Sequence, residues 1–72
     1  MERIEITTEF IKLQDLLKYA SLVSTGGEAK IAVAEGKVAV NGEACEQRGK
    51  KIRPGDVVAY RGHELTVVHA NQ

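Results

Sequence analysis

The sequence has few of the features that mark membrane, disulfide-linked or secreted proteins. Its 72 residues include one cysteine, Cys45, so no disulfide can form within the chain. No apolar run approaches the roughly 20 residues of a transmembrane helix, and the N-terminal MERIEITTEF carries charges where a signal peptide is apolar. These absences predict a cytoplasmic protein without a membrane partner, in a reducing compartment.

Groups that could carry out catalysis are scarce as well. Ser21 and Ser24 lie in no nucleophile motif, and His63, His69 and Cys45 show no spacing typical of a metal site. We therefore expect no catalytic residue, no metal and no cofactor. We interpret His63 as a loop residue, His69 as the end of a strand and Cys45 as a core residue.

Aromatic residues are also few, with two tyrosines, one phenylalanine and no tryptophan. Hydrophobic residues still make up 43% of the chain, which is enough for one core built on Ile, Leu, Val and Ala. At this length a domain buries only about 60% of the surface that its unfolded chain exposes. We expect a single domain over residues 1–72 that acts as a monomer.

Two helices are predicted in the first half of the chain, after a short strand in RIEITT. KLQDLLKYA places four apolar residues at helical spacing, and STGGEAKIAVAEG opens a second helix. Thr25 and Glu28 have the spacing of a capping box, and Gly36 suits the left-handed position after the helix. Ile31 lies opposite the apolar face of this helix, which the two-helix packing does not explain.

The second half of the chain is predicted to form strands. KVAVNGEACE indicates a hairpin that turns at Asn41 and Gly42, with Val40 opposite Glu43 and Lys37 opposite Glu46. VVAY and LTVVH predict two more strands, joined by RGHE. The fold class is therefore α+β: a short N-terminal strand, two packed helices on one side, and a small, mostly antiparallel sheet.

Positive charge is concentrated in one short segment of a chain whose formal net charge is zero. RGKKIRPGD contains Arg48, Lys50, Lys51 and Arg53, and Asp56 is the one acid within it. A turn crowded with cations repels itself and gains nothing for folding. Because a local cation cluster attracts polyanions even on a neutral molecule, this pattern predicts an RNA-binding surface.

The STGG segment is a second candidate site. Gly26 and Gly27 at a helix start expose backbone N–H groups to an anion, and the Ser24 and Thr25 hydroxyls add hydrogen bonds to phosphate. The alternative is that Ser24 or Thr25 simply caps the helix while the glycines bend the chain, and the residues alone leave both open. Lys30 adds to the same basic side, and Lys37 could join it, although the predicted pairing with Glu46 gives Lys37 a structural role.

The run from Lys12 to Val58 resembles the αL RNA-binding motif. The matching pieces are KLQDLL, ST followed by EAK, EGKVAVNGE and IRPGDVV, in this order and spacing. The whole chain looks most like the short stand-alone bacterial members of this family, of the YbcJ and YaaA type. The resemblance implies a core motif over about residues 12–58, followed by a C-terminal hairpin over 57–69.

The resemblance also implies an RNA face at the first helix start, the second helix N-terminus and the adjoining strand and loop. Applied position by position, the resemblance adds Lys12 to the predicted RNA contacts. The complete set of predicted RNA-binding residues is Lys12, Ser24, Thr25, Gly26, Gly27, Lys30, Lys37, Arg48, Lys50, Lys51 and Arg53. This chain departs from the family at Gly26 and Gly27, where many members carry a basic or bulkier residue.

The predicted function is a non-catalytic module that binds structured RNA, with ribosomal RNA or a ribosomal subunit as the expected partner. The alternative is a protein–protein adaptor that uses the sheet edges or the acidic N-terminal face. Its motivation is the net neutrality of the chain and the unexplained Ile31.

Overall fold

The computed structural model describes residues 2–70, in which two helices pack against one face of a mixed sheet. In chain order the elements are β1 (Glu2–Ile6), β2 (Ile11–Lys12), α1 (Leu13–Tyr19), α2 (Gly26–Ala34), β3 (Val38–Val40), β4 (Glu43–Ala44), β5 (Lys51–Ile52), β6 (Val57–Tyr60) and β7 (His63–His69).

The main sheet has five strands in the order β1-β7-β6-β3-β4. Strand β1 runs parallel to β7, and the other neighbours pair in antiparallel fashion. The predicted α+β class with a mostly antiparallel sheet is therefore confirmed. Strands β2 and β5 form a separate two-stranded ribbon, which the sequence analysis missed. Each of these strands has two residues, too few to show a period of two.

The core lies between the helices and the sheet. Helix α1 buries Leu13, Leu16 and Leu17, and α2 buries a stripe of smaller residues as its spacing predicted. Each fully buried leucine contributes about 1.5–3 kcal/mol relative to an exposed one. The sheet supplies alternating side chains to the same core: Ile6, Val38, Val40, Val58, Tyr60, Leu65 and Val67.

Turn chemistry explains most of the connections. Asn41 and Gly42 both have positive φ, 53° and 87°, as the two-residue turn between β3 and β4 requires. Val40 faces Glu43 across that turn, so the predicted register is confirmed. Gly36, with φ 71°, follows the end of α2 as predicted.

Two details of the strand region were predicted wrongly. Tyr60 pairs with His63, so the β6–β7 connection is the two-residue turn Arg61–Gly62, and His63 begins a strand instead of lying in a loop. Lys37 does not pair with Glu46, because β4 ends at Ala44. Its Nζ lies 3.0 Å from Glu35 Oε1 instead, at the end of α2.

Candidate nucleic-acid interface

The two-stranded ribbon has one apolar face and one charged face. Ile11 pairs with Ile52 and Lys12 pairs with Lys51 in antiparallel register. Ile52 is fully buried and Ile11 packs against the core, while both lysines are exposed. Because successive side chains in a strand point to opposite faces, the isoleucines anchor the ribbon and present the two lysines to solvent.

The basic loop is tied to the start of α1 by its backbone. The N–H of Leu13 donates to the carbonyl of Lys50 at 2.9 Å, and the N–H of Gln14 donates to that of Arg48 at 3.0 Å. No side chain caps this helix, so these loop carbonyls satisfy two of its otherwise unpaired donors. The same bonds fix the loop backbone beside Lys12.

The acid at the end of the RGKKIRPGD segment, Asp56, stabilises a turn. Asp56 accepts a hydrogen bond from the backbone N–H of Arg53 at 2.9 Å and another from Asn41 Nδ2 at 3.1 Å. The carboxylate thus joins the turn before β6 to the β3–β4 turn. It forms no ion pair with the guanidinium of Arg53 in the described part of the chain.

We call the β2–β5 ribbon with its flanking loop the basic ribbon; its cations are Lys12, Arg48, Lys50, Lys51 and Arg53. Within residues 2–70, no carboxylate oxygen lies within 4.0 Å of a side-chain nitrogen of any of these five residues. Like charges directly opposite each other in a ribbon are destabilising, and cations at a helix N-terminus oppose its dipole. The arrangement therefore costs stability, and an anionic ligand would offset that cost.

Acidic residues border the basic ribbon on one side. Lys50 lines a shallow depression together with Glu43, Glu46 and Cys45. Cys45 is half-buried and packs against the core, and its Sγ lies 3.7 Å from the carbonyl of Gln47. The positive surface therefore ends towards the β3–β4 hairpin.

The start of α2 has the predicted cap. Thr25 is the N-cap, and its hydroxyl accepts from the N–H of Glu28 at 3.1 Å. The Glu28 carboxylate accepts from the N–H of Ser24 at 3.3 Å, which completes a variant of the capping box. Glu28 therefore adds a negative charge beside the N–H groups that were predicted to bind phosphate.

Neither glycine at this helix start is required by the fold. A Cβ on Gly26 would meet nothing within 4 Å, one on Gly27 would meet only Thr25 Oγ1 at 3.7 Å, and neither has positive φ. Within residues 2–70 their N–H groups have no protein acceptor. Lys30 is exposed on the same helix, also without a carboxylate within 4.0 Å in that range.

Lys37 lies in a different environment from the ribbon lysines. It lines a depression with two glutamates, an exposed isoleucine and Arg61, whose guanidinium carbon is 5.4 Å from the centroid of the Tyr60 ring. We call this depression the α2 corner; its lining residues are Glu28, Ile31, Ala32, Glu35, Lys37, Tyr60 and Arg61. It contains none of the basic-ribbon cations.

The predicted site residues thus fall into three groups. Backbone pairing brings the five basic-ribbon cations together, the α2 start holds Ser24, Thr25, Gly26, Gly27 and Lys30, and Lys37 belongs to the α2 corner. That the α2 start shares one face with the ribbon stays a prediction. The sequence analysis missed Phe10, which lies two residues before Lys12 and contacts Lys51.

Two further features are absent from the described residues, a metal-binding cluster and a membrane-spanning helix. Within 2–70, no three His, Cys, Asp or Glu side chains are grouped so that they could hold a metal ion. In the same range no helix is long and apolar enough to cross a membrane.

Comparison with known proteins places the chain beside small bacterial relatives. The S4 domain family matches residues 4–68. RlbA of Bacillus subtilis strain 168, named as a probable ribosome maturation protein, is 44% identical over 59 residues, which cover 82% of this chain and 83% of RlbA. YbcJ of Escherichia coli K12, named as a candidate RNA-binding protein, is 41% identical over 58 residues, which cover 81% of this chain and 83% of YbcJ.

The fold comparison agrees with the sequence comparison. The solution structure of YbcJ from E. coli superimposes with a TM-score of 0.73 at 36% identity, covering 94% of this chain and 87% of YbcJ. That structure is described as revealing an αL motif involved in RNA binding.

Proposed function

The chain belongs to the S4 domain family, and from this premise we propose that it is a non-catalytic module that binds structured RNA through the basic ribbon. The resemblance to the αL motif is confirmed by the likeness to YbcJ. The relatives' names, one of RNA binding and one of ribosome maturation, support ribosomal RNA or a ribosomal subunit as the partner.

The observation that carries this proposal is the pairing of Lys12 with Lys51. The two lysines face each other across adjacent strands, at the N-terminus of a helix, without a carboxylate within 4.0 Å in residues 2–70. No folding requirement explains two like charges in that place. Phosphate oxygens are the ligands that such exposed cations bind in nucleic acids.

Folded RNA suits this surface better than a single strand does. Sequence-tolerant binding of single strands uses several exposed aromatic rings for base stacking. Here Phe10 is half-buried and Tyr19, although 63% exposed, donates its hydroxyl hydrogen to the carbonyl of Glu5. A fixed set of cations matches phosphates across a groove of a folded RNA.

Charge reversal of the ribbon tests the proposal. The triple variant K50E/K51E/R53E should reduce affinity for purified bacterial ribosomal subunits by about 100-fold or more at physiological salt, because contacts to several phosphates become repulsions. For the unchanged protein, neutralising about four to six phosphates predicts a slope of log affinity against log salt of roughly −3 to −5.

A matched control variant distinguishes the effect of changing the basic ribbon from the effect of changing the net charge. K18E/K37E/R61E changes the formal charge by the same amount outside the basic ribbon, and we expect its affinity to stay within about threefold of the unchanged protein. Both variants should still unfold in a cooperative thermal transition, which would show that they remain folded. Equal affinity of the ribbon variant and the unchanged protein would disprove the proposal.

A second candidate function is supported by the exposed isoleucine of the α2 corner. Ile31 is 59% exposed and lies beside Tyr60 and Arg61 in a depression, which suits a protein partner. Pull-down from lysate with and without nuclease distinguishes the two functions. Partners that persist after nuclease and are lost with I31E would support the adaptor function.

A further inference from the structure

One aromatic ring lies among the basic-ribbon cations. Phe10 comes two residues before Lys12, and the Nζ of Lys51 lies 4.9 Å from the centroid of its ring. Phe10 directly precedes β2, and this contact places its ring beside Lys51, on the side of the ribbon where the lysines are exposed. A cation at this distance is attracted by the electron-rich face of the ring.

The ring replaces the counter-ion that usually orders a lysine. Lys51 has Lys12 directly opposite and Lys50 next to it, and no carboxylate of residues 2–70 lies within 4.0 Å of it. A lysine side chain is a point charge on a flexible four-carbon stem, so repulsion alone would leave the ammonium mobile. A carboxylate would order the ammonium and cancel its charge, whereas a ring orders it and leaves the charge available.

The backbone that carries the ring is itself held in place. The Thr8 hydroxyl donates to the carbonyl of Phe10 at 2.7 Å, and the next residue, Ile11, is paired with Ile52. Ile52 is fully buried. The backbone on either side of the ring is therefore linked to the core through Ile11 and Ile52.

We propose that Phe10 is a positioning residue for RNA binding: its ring holds the Lys51 ammonium in the place where a phosphate will contact it. This inference rests on the proposed function, since it concerns the same surface. Ordering a side chain before binding reduces the entropy that must be lost when the complex forms. Phe10 acts through Lys51 and needs no contact with RNA of its own.

The affinity test compares leucine, tyrosine and phenylalanine at this position. F10L keeps an apolar side chain but removes the ring, and we expect about two- to fivefold weaker binding to a transcribed fragment of bacterial ribosomal RNA. F10Y keeps the ring and should bind like the unchanged protein. The salt slope should stay the same in F10L, because the number of neutralised phosphates does not change.

A double-mutant cycle shows whether Phe10 acts through Lys51. In the K51M background F10L should have no further effect, because there is no ammonium to hold. In the K50M background, the matched control, F10L should still weaken binding about two- to fivefold. An equal effect of F10L in both backgrounds would overturn the positioning role.

A spectroscopic measurement on the free, unchanged protein tests the contact independently of RNA and of how any variant folds. The ring current of Phe10 should shift the Cε protons of Lys51 upfield relative to those of Lys50. Equal shifts for the two lysines would overturn the inference even if RNA binds. Failure of the unchanged protein to bind the RNA fragment would overturn the proposed function and this inference together.

Discussion

The basic ribbon and the α2 corner both expose cations beside an apolar side chain, but a carboxylate pairs with a cation of the α2 corner and, within residues 2–70, with none of the basic ribbon. In the α2 corner, Lys37 Nζ lies 3.0 Å from Glu35 Oε1, and the two glutamates Glu28 and Glu35 line the same depression as Lys37 and Arg61. In the basic ribbon, Lys12 and Lys51 face each other with no carboxylate of the described residues within 4.0 Å.

The difference shows how a chain of zero net charge can still present a site for a polyanion. The α2 corner balances its charges internally, which suits a surface that faces water or a protein. The basic ribbon leaves its repulsion without a carboxylate partner in the described residues, at a cost in stability that an external anion would offset. Local balance of charge, not the total, distinguishes the two surfaces.

The largest expected effect contrasts two isoleucines, one in each region. Ile52→Ala removes a fully buried side chain that anchors the basic ribbon, so we expect a loss of about 2–5 kcal/mol in the free energy of unfolding. Ile31→Ala removes a side chain that is 59% exposed, and should change stability by no more than about 0.5 kcal/mol. Urea denaturation measures both, and similar losses would mean that the ribbon is not anchored by Ile52.

Replacing lysines by glutamine removes their charge without reversing its sign, and this compares the contribution of single charges in the two regions. K12Q/K51Q should weaken RNA binding by about tenfold and flatten the salt slope by about 1.4–1.8, since each lost phosphate contact accounts for about 0.7–0.9. The control K18Q/K37Q should leave the slope unchanged, because both lysines are paired with carboxylates. Fluorescence anisotropy across a salt series gives the slopes, and an equal flattening in both variants would remove the distinction between the regions.

Replacing a lysine by glutamate should raise stability in the basic ribbon and lower it in the α2 corner when no RNA is present. K12E turns a like-charge pair into an opposite-charge pair and places an acid at the α1 N-cap, so it should stabilise the fold by about 0.5–1 kcal/mol while weakening RNA binding. K37E breaks an exposed ion pair and should destabilise the fold by about 0.2–1 kcal/mol. Thermal unfolding at low salt measures the signs, and a loss of stability in K12E would refute the argument from repulsion.

The smallest expected effect concerns the start of α2. E28Q keeps an acceptor for the Ser24 N–H but removes the negative charge beside the Gly26 and Gly27 N–H groups, which have no acceptor among residues 2–70. If these groups contact phosphate, affinity for RNA should rise about two- to threefold. Titration of the same RNA fragment measures the change, and an unchanged affinity would place the α2 start outside the interface.

Much of the fold was predictable because it rests on local patterns. Asn41 and Gly42 fixed the β3–β4 hairpin, Thr25 with Glu28 fixed the start of α2, and the spacing of three leucines fixed the buried face of α1. Each of these signals lies within a few residues and has one structural outcome.

The arrangement of the candidate site was less predictable because it depends on contacts distant in sequence. Strand β2 exists only through its pairing with β5, about forty residues later, and two residues leave no periodic signal. The cations were predictable from their density in the sequence, but the Lys12–Lys51 pairing and the Phe10 contact were not. Nothing local to Lys37 predicted its ion pair with Glu35 rather than with Glu46.

The most direct test of the central claim is a residue-by-residue NMR titration of the protein with a transcribed fragment of bacterial ribosomal RNA. The account predicts that amide signals of residues 10–14 and 48–53 shift or broaden first, while those of residues 31–37 and 60–63 stay unchanged. Changes concentrated in the α2 corner, with the basic ribbon unaffected, would contradict it.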